Sequence, residues 1–523
     1  MIDLSKDFLD SLYNIKGIDR DALLKALDTP PGVSVRFNRR KFPAVSHDFP
    51  MSAETSAQKP HSVAGADIEA PVAWCRDGYY LSQRPVFTLD PLLHAGVYYV
   101  QDASSMIYQQ IIEKLAEKLA ERLRSVTHSA SFRHRDALKV LDFCAAPGGK
   151  TTAIINAIPD GSIVVANEFV AARGKILREN LEKWGYPGVI TTGCASAQYR
   201  NLPPIFDIVA VDAPCSGEGM MRKDEDARAQ WSDNLVSECA ALQKEILSDL
   251  VSTLRPGGYL IYSTCTFNIR ENEENSLYIS QELGLTPVSP DDLGLEGIER
   301  PARTILPATE GLRFMPHLTH GEGLYVSIFR KPEGDISDRQ SIEKDNAAYA
   351  VSDRIPAAGG RKKKDRRAAQ QHPADLPADI RRAVAEWFIP DLDARPELSG
   401  NMITILPANV VHVAEALRRA GINITGAGLP VAELKTGTKK CELIPDSRVA
   451  LNSALKKGIF PEMELSDEEA LKYLRRDAIT PGANIPKGFV VVTYKGAPLG
   501  MIKNLGNRAN NLYPMPWRIR MQD

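Results

Sequence analysis

The chain has 523 residues, of which 43% are hydrophobic and 25% are charged, and its formal net charge is −2. This length is too great for one ordinary core, the composition is that of a globular protein, and the balanced charge argues against a general nucleic-acid coat. No apolar run approaches the ~18 residues of a membrane span, and no basic and apolar leader follows Met1. We therefore expect a cytoplasmic protein without membrane segments.

Seven cysteines are scattered over the chain, and none of them forms a CxxC pair. An odd number of cysteines without ligand spacing predicts neither a disulfide framework nor a zinc or other metal site. We expect free thiols in a reducing compartment.

The first 90 residues predict an N-terminal α+β extension. Short helical patterns at residues 8–12 and 21–27 are stopped by Pro30 and Pro31, and a basic extended stretch follows at residues 33–41. Proline lacks the backbone donor that a helix interior needs, so the helical pattern cannot continue through it.

A change of period near residue 138 predicts an α/β domain over residues 91–331. It opens with a helix after residue 101, which ends in the polar stretch 127–136. Alternating patterns follow, with strands at 138–143, 162–167, 189–192, 205–211 and 258–263 and helices at 151–158, 170–184, 236–254 and 270–283. This alternation predicts a doubly wound, mostly parallel sheet. A late strand, 323–330, is expected to close its edge.

The remaining chain divides by composition into three parts. Residues 332–376 are poor in apolar side chains and include the basic run 361–367, which predicts a flexible basic linker. A small mixed domain is predicted at 377–445 and a β-rich one at 446–523, where residues 447–476 have a helical pattern. Lys495 and Gly496 mark a hairpin between two apolar runs.

The first strand of the predicted sheet runs into a glycine-rich turn that opens a helix. The turn consists of Cys144, Ala145, Ala146, Pro147, Gly148, Gly149 and Lys150. Backbone N–H groups at a helix N-terminus can hold an anionic or polar ligand, and Glu168 stands 20 residues after Gly148, where an acid binds ribose hydroxyls. The phosphate-loop motif fails because Cys144 replaces its first glycine, and GxGxxG is absent. S-adenosylmethionine, another adenosine cofactor, fits this pattern.

Two apolar strands end in polar side chains that include a thiol. Asp212 and Cys215 follow strand 205–211, and Cys265 follows strand 258–263. Carboxyl ends of parallel strands meet at one edge, so we expect both thiols in one pocket, although a cysteine is more often a small buried hydrophobe. With a methyl donor, a thiolate that adds to carbon 6 of cytosine activates carbon 5. Asp212 can hold or protonate N3 if burial keeps it protonated.

Taken together, these motifs resemble the Sun-type RNA (cytosine-5) methyltransferases and, within them, the bacterial 16S ribosomal RNA branch. The resemblance covers residues 74–330 well and both ends more loosely, through residues 98–106, 144–151, 212–219, 222–224 and 262–265. It implies a Rossmann-like core that depends on S-adenosylmethionine, an RNA-binding extension at 1–90 and a PUA-like RNA-binding domain at 446–523. Ribosomal RNA or the small ribosomal subunit is the implied partner of a monomeric protein.

The resemblance also assigns roles to single residues. It implies that Cys265 is the nucleophile on carbon 6, that Cys215 assists breakdown of the adduct and that Asp212 contacts the cytosine. The turn from Cys144 to Lys150, with Glu168, Arg173 and Asp212, is implied to bind S-adenosylmethionine. One departure concerns the loop after the third strand, where many relatives carry an acid that holds the adenine. This chain has Ser196 as the candidate replacement.

Two alternatives belong to other classes of protein. A ribosome-assembly or RNA-binding factor without turnover has no use for two thiols at strand ends. A DNA cytosine methyltransferase typically uses one Pro-Cys thiol, so the second thiol, Cys265, and the appended C-terminal domain argue against it. We therefore expect methylation of RNA at cytosine C5. We also expect that removal of the chain from residue 377 weakens RNA binding more than cofactor binding.

Overall fold

The structure is a computed structural model that describes most of the chain. The described residues are 4–15, 17–41, 62–127, 137–299, 301–303, 306, 309–334, 376–436 and 441–521. The predicted linker, 332–376, lies almost wholly outside them. Among the described residues, no helix is long and apolar enough to cross a membrane.

The N-terminal part is a five-stranded sheet with short helices. Its elements are α1 (Lys6–Ser11), α2 (Arg20–Leu27), β1 (Val33–Phe37), β2 (Ser62–Val63), β3 (Ala66–Pro71), β4 (Gly78–Leu81), α3 (Pro91–His94) and β5 (Tyr98–Val100). The strand order is β2-β3-β4-β1-β5, and β1 pairs antiparallel with β4 and β5. Both predicted helices are confirmed as α1 and α2. The side chains of Ser5 and Asp19 cap their N-termini by accepting backbone N–H groups.

The central sheet confirms the predicted doubly wound core. Its elements are α4 (Ile107–Thr127), β6 (Lys139–Phe143), α5 (Gly149–Ala157), β7 (Ile163–Asn167), α6 (Ala171–Trp184), β8 (Val189–Thr192), β9 (Phe206–Asp212), α7 (Glu225–Gln230), α8 (Asp233–Leu250), β10 (Leu254–Thr264), α9 (Glu273–Gln281), β11 (Thr286–Pro287), α10 (Pro290–Leu293), β12 (Ala302–Arg303), β13 (Leu312–Phe314) and β14 (Leu324–Arg330). Strands β8, β7, β6, β9 and β10 lie side by side in that order and are parallel. This is the 3-2-1-4-5 order of doubly wound folds, in which ligands bind where the order reverses.

Strand β14 does not close the edge of this sheet, contrary to the expectation. It pairs antiparallel with β10 on one side and with β13 on the other, and β12 continues the sheet beyond β13. The sequence of β13 and β12 gives no strand signal because the two strands have only three and two residues.

The segment after the linker forms a small sheet and also joins the central one. Its elements are α11 (Ala378–Ala385), β15 (Ala394–Ser399), β16 (Met402–Pro407), α12 (Ala408–Arg419), β17 (Ile424–Ala427), β18 (Leu429–Thr436) and β19 (Cys441–Pro445). Strands β15, β16, β18 and β19 make the small sheet, whereas β17 pairs antiparallel with β8 at the free edge of the central sheet. Apolar side chains of α12, including Val410, Val413 and Leu417, pack in one cluster with β7 and β8.

The last part is a four-stranded sheet with one helix. Its elements are β20 (Glu462–Glu464), α13 (Asp467–Arg475), β21 (Gly488–Tyr494), β22 (Ala497–Asn504) and β23 (Ala509–Asn511), in the order β20-β21-β22-β23. The predicted hairpin is confirmed, and Lys495 and Gly496 both have positive φ, as a tight hairpin turn requires. The helical prediction for 447–476 holds only for the 3-10 turn Ser447–Leu451 and for α13, because β20 intervenes and pairs with β21.

Candidate active site

The two thiols meet at the carboxyl edge of neighbouring parallel strands. Strands β9 and β10 run in a register that sets Asp212 opposite Ser263, so the residues that follow them leave the sheet side by side. Cys215 Sγ and Cys265 Sγ lie 3.2 Å apart, and both thiols are free. This distance exceeds the ~2.05 Å of a disulfide bond, so the sulfurs are in contact without being bonded. The structure thus brings the two predicted cysteines into contact.

The contact affects the proton affinity of Cys215. Its pKa is raised well above the ordinary value, first by the hydrogen bond to Cys265, then by burial and by the charge of Cys265. The Cys215 thiol therefore holds its proton more firmly than a free thiol does, with the Cys265 sulfur as its hydrogen-bond partner.

Asp212 is held by two donors beside the thiols. Lys150 Nζ donates to Asp212 Oδ2 at 2.8 Å, and Ser263 Oγ donates to Oδ1 at 2.7 Å. Because the Ser263 hydroxyl proton is donated to Asp212, the Tyr108 hydroxyl is the donor in its 2.7 Å hydrogen bond to Ser263 Oγ. Burial raises the pKa of Tyr108 well above its usual range, which keeps it a donor. This chain of bonds fixes the Asp212 carboxyl at the sheet edge.

Lys150 supplies the positive charge of the site. Burial opposes that charge, but Asp212 outweighs burial and, with a smaller contribution from Cys265, raises the pKa of Lys150 above its ordinary value. Lys150 therefore faces the Asp212 carboxyl as a protonated ammonium group.

The glycine-rich turn lies between β6 and α5. Gly148 has a φ of 113°, and an added side chain there would lie 3.3 Å from Leu177, so this position requires glycine. Arg173 Nη2 donates to the carbonyl of Ala146 at 2.8 Å and ties helix α6 to the turn. The structure thus brings the turn and Arg173 together, as the resemblance implied.

Glu168 has an unused carboxylate oxygen. Its Oε1 accepts the backbone N–H of Val170 at 2.9 Å, whereas the buried Oε2 has no hydrogen-bond partner. Arg173 Nη1 approaches Oε2 only to 3.8 Å. Because an unpaired buried carboxylate oxygen is costly, Glu168 fits a ligand that donates hydroxyl hydrogen bonds, such as the ribose of an adenosine cofactor.

The structure corrects the interpretation of Ser196. Its hydroxyl donates to Asp249 Oδ2 at 2.6 Å, and Arg200 holds the other oxygen of the same carboxylate. Ser196 therefore anchors its own loop to helix α8 by this hydrogen bond, and it does not replace the acid expected after the third strand.

Sequence reasoning missed three kinds of residue near the site. Phe169, which follows Glu168 after the end of β7, has a side chain that is 69% exposed. Arg36 of β1 is fully buried and donates to the carbonyl of Gly149 and to the side chain of Thr152, so the N-terminal sheet supports helix α5. Two buried glutamates, Glu218 and Glu271, line the loops of the thiols. Only the position of Phe169 after a strand end gave any signal.

The central sheet is doubly wound, a glycine-rich turn follows its first strand, and Glu168, with an unpartnered carboxylate oxygen, follows its second. This combination defines the class of Rossmann-like methyltransferases that depend on S-adenosylmethionine. Family models match three parts of the chain: the N-terminal domain of 16S rRNA methyltransferase RsmF over residues 4–103, 16S rRNA methyltransferase RsmB/F over 131–330 and the methyltransferase RsmF PUA domain over 460–519. The predicted cofactor and fold class are thereby confirmed.

Similar proteins align with this chain over most of their length. The ribosomal RNA small subunit methyltransferase F of Erwinia tasmaniensis is 31% identical over 85% of this chain and 84% of its own, and that of Escherichia coli O7:K1 is 30% identical over 85% and 84%. The chain belongs to the family of ribosomal RNA small subunit methyltransferase F, which confirms the resemblance found from its motifs.

Solved structures of lower identity align with part of the chain. A methyltransferase homologue from Pyrococcus horikoshii is 21% identical, covers 63% of this chain and 100% of its own, and gives a TM-score of 0.45. NSun6 from Pyrococcus horikoshii with SFG is 17% identical over 63% and 99%, with a TM-score of 0.46.

Proposed function

We propose that this protein methylates carbon 5 of a cytosine in 16S ribosomal RNA through a covalent bond between Cys265 and carbon 6. The observation that carries the proposal is the 3.2 Å contact between Cys215 and Cys265 beside the Lys150–Asp212 pair. A protein that only binds RNA needs neither a second thiol in contact with the first nor a charged pair next to them. The small-subunit RNA is the substrate in the names of the relatives.

Attack by Cys265 is the first step of this mechanism. The sulfur forms a bond to carbon 6, and the electron pair of the C5–C6 double bond moves through the ring toward N3 and the carbonyl oxygen. Lys150 carries a proton at this edge and is placed to hold the developing negative charge. Asp212 keeps the ammonium in position and accepts from the cytosine amino group.

Residues of the first two strand ends hold the cofactor. S-adenosylmethionine supplies an electrophilic methyl group to carbon 5 once that carbon is electron-rich. The backbone of the turn from Cys144 to Lys150 would hold its polar end and Glu168 Oε2 would accept from ribose hydroxyls, while Arg173 holds the turn through the Ala146 carbonyl. The exposed Phe169 ring would be available to the adenine.

Release of the product requires that the Cys265–C6 bond breaks. A basic group of the site or a water molecule accepts the proton on carbon 5, the electron pair of the C5–H bond restores the C5–C6 double bond, and Cys265 departs with the electrons of the sulfur–carbon bond. Cys215 lies in contact with the departing sulfur and assists this elimination. Because a target base inside a helix hides both faces of carbon 6, we expect an unpaired or flipped-out cytosine.

The outer parts of the chain bind the RNA in this proposal. The N-terminal extension (1–90) and the C-terminal domain (446–523) flank the catalytic core (91–331), and the basic linker (332–376) and the domain at 377–445 connect them. The protein acts as a monomer on ribosomal RNA or the small subunit in the cytoplasm.

The test is bisulfite sequencing of 16S RNA after incubation of naked RNA or purified small subunits with the protein and S-adenosylmethionine. We expect one or a few cytosines to become resistant to conversion, and the Cys441→Ala variant, which removes an exposed thiol, to behave as the wild type. Methyl transfer to another base or only to DNA would overturn the proposal.

A further inference from the structure

Two buried glutamates lie just beyond the two thiols. Glu218 follows Cys215 by three residues and Glu271 follows Cys265 by six, and both side chains have no solvent exposure. Among the described residues, no Lys or Arg lies within ion-pair distance of either carboxylate, although buried acids are usually paired. Their partners are instead hydrogen-bond donors of the thiol loops.

Glu271 holds the loop of Cys215. Its Oε1 accepts from Ser216 Oγ at 2.5 Å and its Oε2 accepts from the backbone N–H of Ser216 at 3.0 Å. Gln243 Nε2 donates both to Glu271 Oε2 at 2.7 Å and to the carbonyl of Pro214 at 2.8 Å. Ser216 is therefore held directly by an acid of the other loop, and Pro214 is held by Gln243, which bonds the same acid.

Glu218 holds the loop of Cys265 in the same way. Its Oε2 accepts the backbone N–H groups of Phe267 at 2.6 Å and Asn268 at 3.0 Å. The next residue, Gly219, donates its N–H to the carbonyl of Cys265 at 2.8 Å. An added side chain at Gly219 would come within 2.7 Å of that carbonyl oxygen, so the approach requires glycine.

Asn268 connects the two carboxylates. Its Nδ2 donates to Glu271 Oε1 at 2.7 Å and lies 3.0 Å from Glu218 Oε1, while Trp231 Nε1 donates to the same Glu218 oxygen at 3.0 Å. Each loop thus supplies the acid that holds the other loop, and the bonds converge on the two cysteines.

We propose that Glu218 and Glu271 are positioning residues that keep Cys215 against Cys265 while the product is released, an inference that rests on the function proposed above. The Cys265 loop carries the bound nucleotide during the covalent stage, so the thiols stay in contact only if the loops move as one body. The two carboxylates supply that rigidity, because Glu271 accepts from Ser216 and Glu218 accepts from Phe267 and Asn268, across the gap between the loops.

The thiol–thiol distance can be measured without any reaction on RNA. A bifunctional thiol reagent, dibromobimane, bridges two sulfurs only when they are close, and peptide mapping identifies the bridged pair. We expect the wild type to give the Cys215–Cys265 bridge and Glu271→Gln to give about tenfold less of the bridged product. The glutamine amide places an N–H group against a donor of Ser216 or Gln243, where the carboxylate had accepted a hydrogen bond. Glu182→Gln, a buried acid of α6 bonded to Arg178 and Arg448, should bridge as the wild type does.

The second measurement separates adduct release from methyl transfer. With radiolabelled RNA and S-adenosylmethionine, Glu271→Gln should accumulate a protein–RNA adduct and lower kcat by about 10- to 100-fold, the scale of misplacing a reacting group by ~1 Å. The KM for S-adenosylmethionine should stay within about twofold of the wild type, because the cofactor cleft is untouched. If Glu271→Gln fails to fold, Ser216→Ala removes one donor to the same carboxylate. It should show a smaller loss of bridging and a smaller accumulation of the adduct. Ser216→Thr keeps a hydroxyl and should behave as the wild type.

Each outcome decides the proposal. Wild-type bridging and wild-type release in folded Glu271→Gln and Ser216→Ala would overturn it, and so would loss of adduct formation, which would place the acids at the attack step. If the wild type transfers no methyl group to RNA, the proposed function fails, and the bridging yield still shows whether the glutamates hold the thiols together.

Discussion

Lys150 and Asp212 form an ion pair at 2.8 Å although 62 residues separate them in the chain. Lys150 ends the glycine-rich turn and Asp212 ends β9, so the pair joins the glycine-rich turn to the strand end that carries the thiols. We expect Lys150→Met to lower methyl transfer by about 100-fold or more, the usual loss for a donor at developing charge. Single-turnover assays measure this rate. The control is Lys175→Met, an exposed lysine of α6, and equal rates for both variants would contradict the role of Lys150.

Alanine substitutions of the two cysteines should have different effects on methylation and on adduct formation. Cys265→Ala removes the attacking sulfur and should abolish both methylation and the adduct. Cys215→Ala leaves the nucleophile and should yield a slowly migrating protein–RNA band on a denaturing gel with radiolabelled RNA and S-adenosylmethionine. The reverse pattern would identify Cys215 as the nucleophile, and the absence of a band from both would leave the covalent mechanism without support.

Glu168 should govern cofactor affinity. Its Oε2 is buried and open to hydroxyl donors, and a hydrogen bond to a charged group contributes about 1.5–3 kcal/mol. Glu168→Ala should therefore weaken S-adenosylmethionine binding by about 10- to 100-fold in calorimetry. Glu179→Ala, a partly exposed acid on the same helix as Arg173, should bind normally. An unchanged affinity of Glu168→Ala would place the ribose elsewhere.

The C-terminal segment should affect the cofactor domain as well as RNA binding. Strand β17 pairs with β8, and the carbonyl of Asn423 accepts the N–H of Gly193 in the loop that follows β8. The chain beyond residue 377 therefore contributes a strand to the sheet that carries the cofactor site.

A single substitution in α12 tests this coupling. Val413 is 3% exposed and packs under the central sheet, so Val413→Asp should lower the free energy of unfolding by about 3 kcal/mol through burial of an unpaired charge. Thermal unfolding and calorimetry with S-adenosylmethionine measure stability and affinity, and both should fall. His412→Asp, on the exposed face of the same helix, should change neither. If Val413→Asp leaves both unchanged, the segment is independent of the methyltransferase core.

Acid should destabilise the contact between the N-terminal and last sheets. Burial lowers the pKa of His94 from 6.5 to about 4; its Nε2 bonds the carbonyl of Thr88 at 2.9 Å, and Tyr513 contacts Nδ1 at 3.4 Å. Between these values the unfolded chain binds a proton that the folded protein does not, so stability falls as pH drops from 6.5 to 4. At ~1.4 kcal/mol per pH unit the loss is about 3 kcal/mol.

Urea unfolding at pH 7 and pH 4.5 checks the sign and the size of this effect. His94→Gln should lose less stability between the two pH values than the wild type, whereas the exposed His412→Gln should lose as much. A larger loss in His94→Gln would contradict the assignment.

The sequence by itself determined the α/β core and the chemistry of its strand ends. Alternating apolar periods located β6 to β10 within a few residues, and a thiol or acid after each apolar run predicted Cys215, Cys265, Asp212 and Glu168 at one edge. These features are local, because strand period and turn composition depend on neighbours in the chain.

Only the tertiary structure decided which groups interact. The Asp212 carboxyl is bonded by Lys150, the Ser196 hydroxyl is bonded to Asp249, and one edge of the central sheet is formed by β17, more than 200 residues beyond its partner β8. No spacing rule predicts such pairs, because hydrogen bonds and ion pairs follow distance in space. The carboxylates of Glu218 and Glu271 show the same limit, since each acid becomes informative only when the opposite loop lies against it.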